Sequence, residues 1–536
     1  MFGVQALFPG VNASTNKQGK VDYPTTGNKP VATTQASPNA SSSSSVAARK
    51  DSTLTTAFVK AETTTVMSHS DNSAQFVMSN MGAVPVSIIM KAYDNRSSAG
   101  GKVDLAVQGQ PVVTYQAVIN QSAPVNLSEI PFSTVHHGDT VTYQAFVSNN
   151  AVAIRYVFLP DSYVVHVTGT ITDKGDKNYI VVDLPKTLAA TESDTADDRN
   201  SLAYAYFSKH DGARSLLFRS LDPGEKTLVT GPLTWVAAKS KYFVVGVLAP
   251  KGTPEFSEVT FIGGARTSKI ATTASASVVV PITHGVFAFD LYTGPQSLRQ
   301  LEAQGRDFDE VNPYGWAFLR GVMQPIAIAV TKLVLWMHER LALSYGLVLV
   351  LLGVLVRLVL WPLNQSAMRS SLKMQELQPK LQSVQTRYKD DPEKQRVEVM
   401  KVYTENGMSP LSPLMGCLPM LLPMPVLFAL FFVFRNTIEF RGVHFLWLTD
   451  LSSRDPYYIL PILMGISMYV LSWIGMRNSP PNPQAKMMSY MMPAMFVMFL
   501  LRAASGLNLY YAVQNLAALP QQWMLAKERI QRAAKS

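Results

Sequence analysis

The stretch from Tyr345 to Leu363 limits what this chain can be more than any other. It is a nearly unbroken run of Leu, Val and Gly that carries one charge, Arg357, and closes on Trp361-Pro362. A bilayer crossing needs about 20 apolar residues, so the run has the length of a membrane span. An arginine near the centre of such a helix costs roughly 2.5 to 3.5 kcal/mol on insertion scales, and a chain that keeps one turns it toward protein or a water-filled cavity. Arg357 is therefore the first candidate functional residue. The competing reading is an arginine that snorkels past Leu358, Val359, Leu360 and Trp361 to the polar Asn364-Gln365 end.

The composition agrees with a partly membrane-embedded chain: 47% hydrophobic and 16% charged residues. From residue 301 onward there are 23 Lys+Arg against 15 Asp+Glu, a surplus of 8 out of the total +10. The basic excess thus accompanies the apolar half, which fits attraction to membrane lipids. No compact Lys/Arg run with interleaved aromatics points to nucleic-acid readout. The single cysteine, Cys417, permits no disulfide within the chain and reads as a small hydrophobe in an apolar segment.

Taken in order, residues 1–52 read as a short apolar end, Met1 to Pro9, and a Ser/Thr/Asn/Pro/Gly-rich tether that buries too little to fold. Residues 53–300 change to β-branched and aromatic runs such as Thr140 to Val147, Ser162 to Ile171, Tyr242 to Leu248 and Ser277 to Ile282. Turn signals such as Asp222-Pro-Gly-Glu lie between them. Period-2 runs with almost no helical periodicity predict a large antiparallel β-sandwich. His136-His137 would point to opposite faces of a strand, so no chelating pair is expected. Gly263-Gly264-Ala-Arg-Thr-Ser-Lys269 lacks the Gly-Lys-Ser/Thr ending of a phosphate loop. No catalytic residue, cofactor or metal ligand set is expected, and no enzyme.

Residues 301–344 form a connector with a short helix at Pro295 to Gly305 leading into it. Trp316, Phe318, Leu319, Val322, Ile326, Ala329, Val330, Leu333 and Trp336 follow at helical spacings, an amphipathic profile suited to a membrane surface. A core helix of the β domain is the alternative. Residues 345–526 then carry five spans, at about 345–363, 413–434, 457–475, 487–501 and 505–522, with a polar helical hairpin at 366–407 after the first. In the hairpin, Asp391-Pro392-Glu393 supplies a cap, a first-turn proline and an acidic helix start. Residues 487–501 cover only about 22 Å as a helix, so an extension through Gln484-Ala485 or a thinned bilayer has to complete that crossing. Eight Lys/Arg lie between Asn364 and Ser412, Arg477 and Lys486 lie after the third span, and Lys527, Arg529, Arg532 and Lys535 mark a basic tail at 527–536. The positive-inside rule places the hairpin and C-terminus in the cytoplasm and the β domain outside.

With these residues in hand, the chain resembles the YidC-type membrane protein insertases of Gram-negative bacteria. The resemblance runs from about Gly315 to Gln522, through Arg357-Leu-Val-Leu-Trp-Pro-Leu363, Leu377-Gln-Pro-Lys-Leu-Gln, Gly416-Cys-Leu-Pro-Met-Leu with Met424 to Leu430, Asp455 to Gly465, and Ser505 to Tyr511 with Gln514-Asn515. It implies an ATP-independent insertase and chaperone of the bacterial inner membrane, multi-pass, with a periplasmic β-sandwich. Its hydrophilic groove would have Arg357 as central charge and Asn364, Gln365, Gln514 and Asn515 as polar lining. Met424, Pro425, Phe428, Pro493 and Phe496 would lie on an apolar slide. The implied partners are nascent membrane proteins, the Sec translocon, membrane lipids, and the ribosome at the hairpin and tail. Pro423 stands where the family often has Gln, and Arg502-Ala-Ala replaces an aromatic-rich turn. Met1 to Pro9 looks like only the exit of the family's first span, so the expectation is an upstream apolar segment that exports the β domain. The alternative function is a small-solute channel or transporter, although no inverted repeat relates the spans.

Overall fold

Strict alternation of burial marks the β region: Ala274–Pro281 reads buried, half-buried, buried along its whole length. One face of such a strand packs inward and the other meets solvent. The computed structural model describes residues 63–68, 73–160, 162–172, 175, 177–267, 270–313, 319–362, 365, 377, 379–406, 424–476 and 483–533. Asn364, Cys417, the tether, the first part of the hairpin and the first half of the second span lie outside the described residues.

Every strand pairing among the described residues is antiparallel. A 4-stranded and a 14-stranded sheet dominate. They share one core, in which Phe76 and Ile88 of the small sheet join Tyr143, Tyr156, Trp235 and Phe289 of the large one. Two buried hydroxyls find partners there: Tyr156 Oη donates to the Ala83 carbonyl (2.6 Å) and lies 2.6 Å from Tyr115 Oη. Strand Phe243–Leu248 departs from simple alternation, being buried on both faces, because Phe308 of the connector covers its outer side at Gly246. His136 and His137 sit exposed on strand Ser133–His137, opposite Val141 and Thr140. Gly263 ends a strand where a Cβ would strike the Asp222 carbonyl, so that glycine serves backbone packing.

The helical half begins with α1 (Arg320–Leu341), α2 (Tyr345–Val359) and α3 (Pro392–Glu405). α4 (Met424–Asn436), α5 (Ile459–Met476), α6 (Pro483–Leu500) and α7 (Ser505–Ala533) follow. α1 and α5 are each long and apolar enough to cross a membrane, while the apolar parts of α2, α4 and α6 are shorter. α6 starts ahead of Met487, and its 18 residues give about 27 Å of rise. α3 is capped by Asp391, whose side chain accepts from Lys394 N, with Pro392 in the first turn. Residues 379–387 are also helical, and Leu377 and Leu381 pack with Tyr403 in a small apolar cluster.

α1 differs from the sequence expectation in which face it buries. Met323, Ala327, Thr331 and Val334 are buried, whereas Val322 and Trp336 of the expected stripe are more than half exposed. Small side chains let α4 approach, and the bulky ones turn outward. Polar side chains tie α1 to the β domain and its connector along its length. Arg320 donates to the Ala213 carbonyl (2.9 Å), Lys332 pairs with Glu302 (2.9 Å), and Glu339 accepts from Arg299 (2.7 Å).

A buried junction joins the β domain to the loop between α4 and α5. Arg441 donates Nε to Glu192 Oε1 (2.7 Å) and Nη2 to the carbonyls of Asp94 (2.8 Å) and Thr191 (3.1 Å), with the two charged side chains 3% and 7% exposed. Asp450 accepts from Arg96 (3.1 Å), Gly442 N (3.0 Å) and Ser452 N (2.8 Å). The same loop is stitched to the start of α7: Ser505 N donates to Ser453 O (2.7 Å) and Gly506 N to Leu451 O (2.9 Å).

Lys239, half-buried at the end of strand Lys226–Lys239, donates to Val311 O (2.9 Å) and Asn312 Oδ1 (2.7 Å) and so closes the connector onto the sheet. Burial of its ammonium, aided by Arg435, pulls its pKa down from 10.5 to about 7. Between those values the folded chain binds fewer protons than the unfolded one, so this group makes stability rise with pH and withdraws that gain as pH falls back to 7. The unfolding midpoint in detergent should therefore climb more steeply between pH 7 and 9.5 than that of Lys239→Met. Parallel pH profiles for the two proteins would refute the assignment.

Candidate functional site: a charged cavity between apolar helices

α2 and α7 approach closely at Gly353, where a Cβ would lie 3.2 Å from the Tyr510 carbonyl and 3.1 Å from Val513. Small residues at helix contacts allow such approach in apolar surroundings. One turn further along α2 a cavity of about 440 Å³ lies among α2, α4, α5, α6 and α7. It is large enough to hold several waters. Its polar lining includes Arg357, Ser472, Gln514, Asn515 and Gln522. Its apolar lining includes Leu427, Leu430, Met464, Met468 and Phe496.

Arg357 is half-buried, and Nη2 donates to Gln521 Oε1 at 2.7 Å. Its Nε is buried without a partner, and no carboxylate pairs with it among the described residues. The charge therefore stands uncompensated at the wall of a cavity large enough to hold water. Asn515 donates to Ser467 Oγ (3.2 Å), which in turn donates to the Met464 carbonyl (2.7 Å), so this polar pair bridges α7 to α5. Tyr511 Oη donates to the Leu427 carbonyl (3.3 Å), fixing α7 against α4. Away from the cavity, toward the loop between α4 and α5, the same helices fill with Leu349, Leu352, Val433, Phe434 and Leu507, all buried.

The structure thus brings Arg357, Gln514, Asn515 and Phe496 to one cavity. Phe428 and Phe496 also share a small apolar cleft with Phe431 and Phe499. Pro493 is buried within α6 and does not line the cavity, and neither does the helical Gln365. Met424 and Pro425 begin α4, but their side chains lie outside the described residues. The sequence reading missed Gln521 and Gln522. The signal was present, since Gln514 and Gln521 are seven residues apart and share a helix face.

Residues 336–533 match the family described as 60Kd inner membrane protein, and residues 78–328 match the YidC periplasmic domain. A protein of Anaeromyxobacter dehalogenans named membrane protein insertase YidC is 35% identical over 316 residues, 57% of this chain and 54% of that one. This chain thus spans about half the length of that relative. Its namesake from Chlorobium luteolum is 30% identical over 488 residues, 84% of this chain and 80% of that protein. A solved structure described as an active YidC insertase aligns over 84% of this chain at 17% identity, with a TM-score of 0.34. Two matched regions that together cover both halves, and a relative aligned over most of both lengths, place this chain in the YidC membrane protein insertase family.

Proposed function

We propose that the chain inserts and folds integral membrane proteins in the bacterial inner membrane without ATP, acting alone or beside the Sec translocon. The observation that carries this reading is the unpaired, half-buried charge of Arg357 on a cavity walled by apolar helices. A chain pays for such a charge where a polar segment must be drawn below the membrane surface. An acidic residue on the incoming segment is attracted to Arg357, and the hydrated cavity lowers the cost of moving that segment. Burial of the following apolar helix, at about 25 cal/mol per Å², then supplies the driving force.

In this reading α2, α4, α5, α6 and the first part of α7 are five spans. The hairpin at 366–407 and the C-terminal tail face the cytoplasm, where they meet the ribosome and the nascent chain. α1 lies along the outer surface, a placement supported by its bonds to the β domain at Arg320, Lys332 and Glu339. Met424, Pro425, Phe428, Pro493 and Phe496 form the apolar exit past α4 and α6 into lipid.

The test is reconstitution of the chain in lipid vesicles with a small membrane protein added in the absence of nucleotide. Protease protection of the substrate should depend on the chain. Solute efflux from the same vesicles, with no gain in protection, would favour a channel or transporter instead.

A further inference from the structure

Gln521 is 1% exposed and bonded at both ends of its amide: Oε1 accepts from Arg357 Nη2 at 2.7 Å, and Nε2 donates to the Trp361 carbonyl at 3.1 Å. A guanidinium only donates and a carbonyl only accepts, so the two partners fix which way the amide points. Both bonds reach from α7 to α2 and the turn that follows it. The guanidinium is thereby held by one of its five N–H groups while Nε keeps no acceptor.

The residue type at 521 decides what charge the cavity presents. An apolar side chain there would leave Arg357 free to swing its long stem toward the helix end. A carboxylate would hold it as well as an amide does, but would cancel its charge in a poorly solvated site. A neutral acceptor is the one option that fixes the position of the guanidinium and leaves the full positive charge available.

We propose that Gln521 is the positioning residue that sets the charge preference of the cavity, so that segments bearing an acidic residue are taken up in preference to neutral ones. This inference rests on the insertase reading above.

The experiment uses the full chain in vesicles and one small single-span substrate in two forms, with an acidic or a neutral leading segment. The readout is the ratio of their insertion rates, which a general loss of stability does not change. Gln521→Glu should lower the ratio to the value of Arg357→Ala, a loss of tenfold or more. Gln521→Leu, which adds no buried charge and guards against misfolding of the Glu variant, should lower it several-fold when read at matched amounts of folded chain. A ratio that stays at the starting value in both Gln521 variants while Arg357→Ala lowers it would overturn the role of Gln521 and leave the Arg357 reading intact. A ratio unmoved in Arg357→Ala as well would remove charge capture itself.

Discussion

Replacing Arg357 with alanine is expected to cut insertion of a substrate with an acidic leading segment by on the order of a hundredfold. Two unit charges about 4 Å apart at an effective dielectric near 20 attract by about 4 kcal/mol, of which the acidic group returns part as lost hydration. Arg357→Lys keeps the charge and should keep most of the insertion, although a compact ammonium cannot reproduce the fork geometry toward Gln521. The measurement is protease protection of the substrate in vesicles carrying each protein. Equal rates for arginine, lysine and alanine would mean that Arg357 only reaches the interface and that the cavity works without a charge.

The second large effect is expected at the junction. Arg441→Ala leaves Glu192 buried without its cation, and leaves the carbonyls of Asp94 and Thr191 without their shared donor. Removing one member of a buried pair costs about 3 to 5 kcal/mol, mostly because the surviving charge is stranded. The thermal midpoint in detergent should fall, and limited proteolysis should begin to cut near residues 94 and 192. The double variant Arg441→Ala with Glu192→Ala should recover part of the loss, since no orphan charge remains. A double variant no more stable than the single one would show that the bond itself, rather than the stranded carboxylate, holds the junction.

What the sequence discloses here depends on range. The β domain is legible because alternation such as that of Ala274–Pro281 is a local pattern. The start of α3 is legible because Asp391, Pro392 and Glu393 state their cap within three residues. Arg357 is legible because a lone charge in an apolar run is conspicuous. The Arg441–Glu192 pair joins residues 249 apart, and nothing in either neighbourhood names the other. Gln521 is an intermediate case: its helical phase with Gln514 is readable, but its bond to Arg357 across 164 residues is a product of packing. The outward turn of Val322 and Trp336 on α1 was illegible for a different reason. Periodicity finds an apolar stripe, but small Ala327 and Thr331 are what a close neighbour selects.

The stitched loop and the apolar layer beneath it bear on the electrical life of the membrane. With the helices placed across the membrane as proposed, water in the cavity would meet the buried Leu349, Leu352, Val433, Phe434 and Leu507 before it could reach the other side. Proton relay needs an unbroken file of hydrogen-bonded water, and an apolar constriction interrupts it by dewetting. Backbone bonds from Ser505 and Gly506 tie the start of α7, next to Leu507 of that layer, to the loop. Under the insertase reading, a cell could therefore keep a hydrated, charged indentation in its energy-conserving membrane without discharging the proton gradient through it.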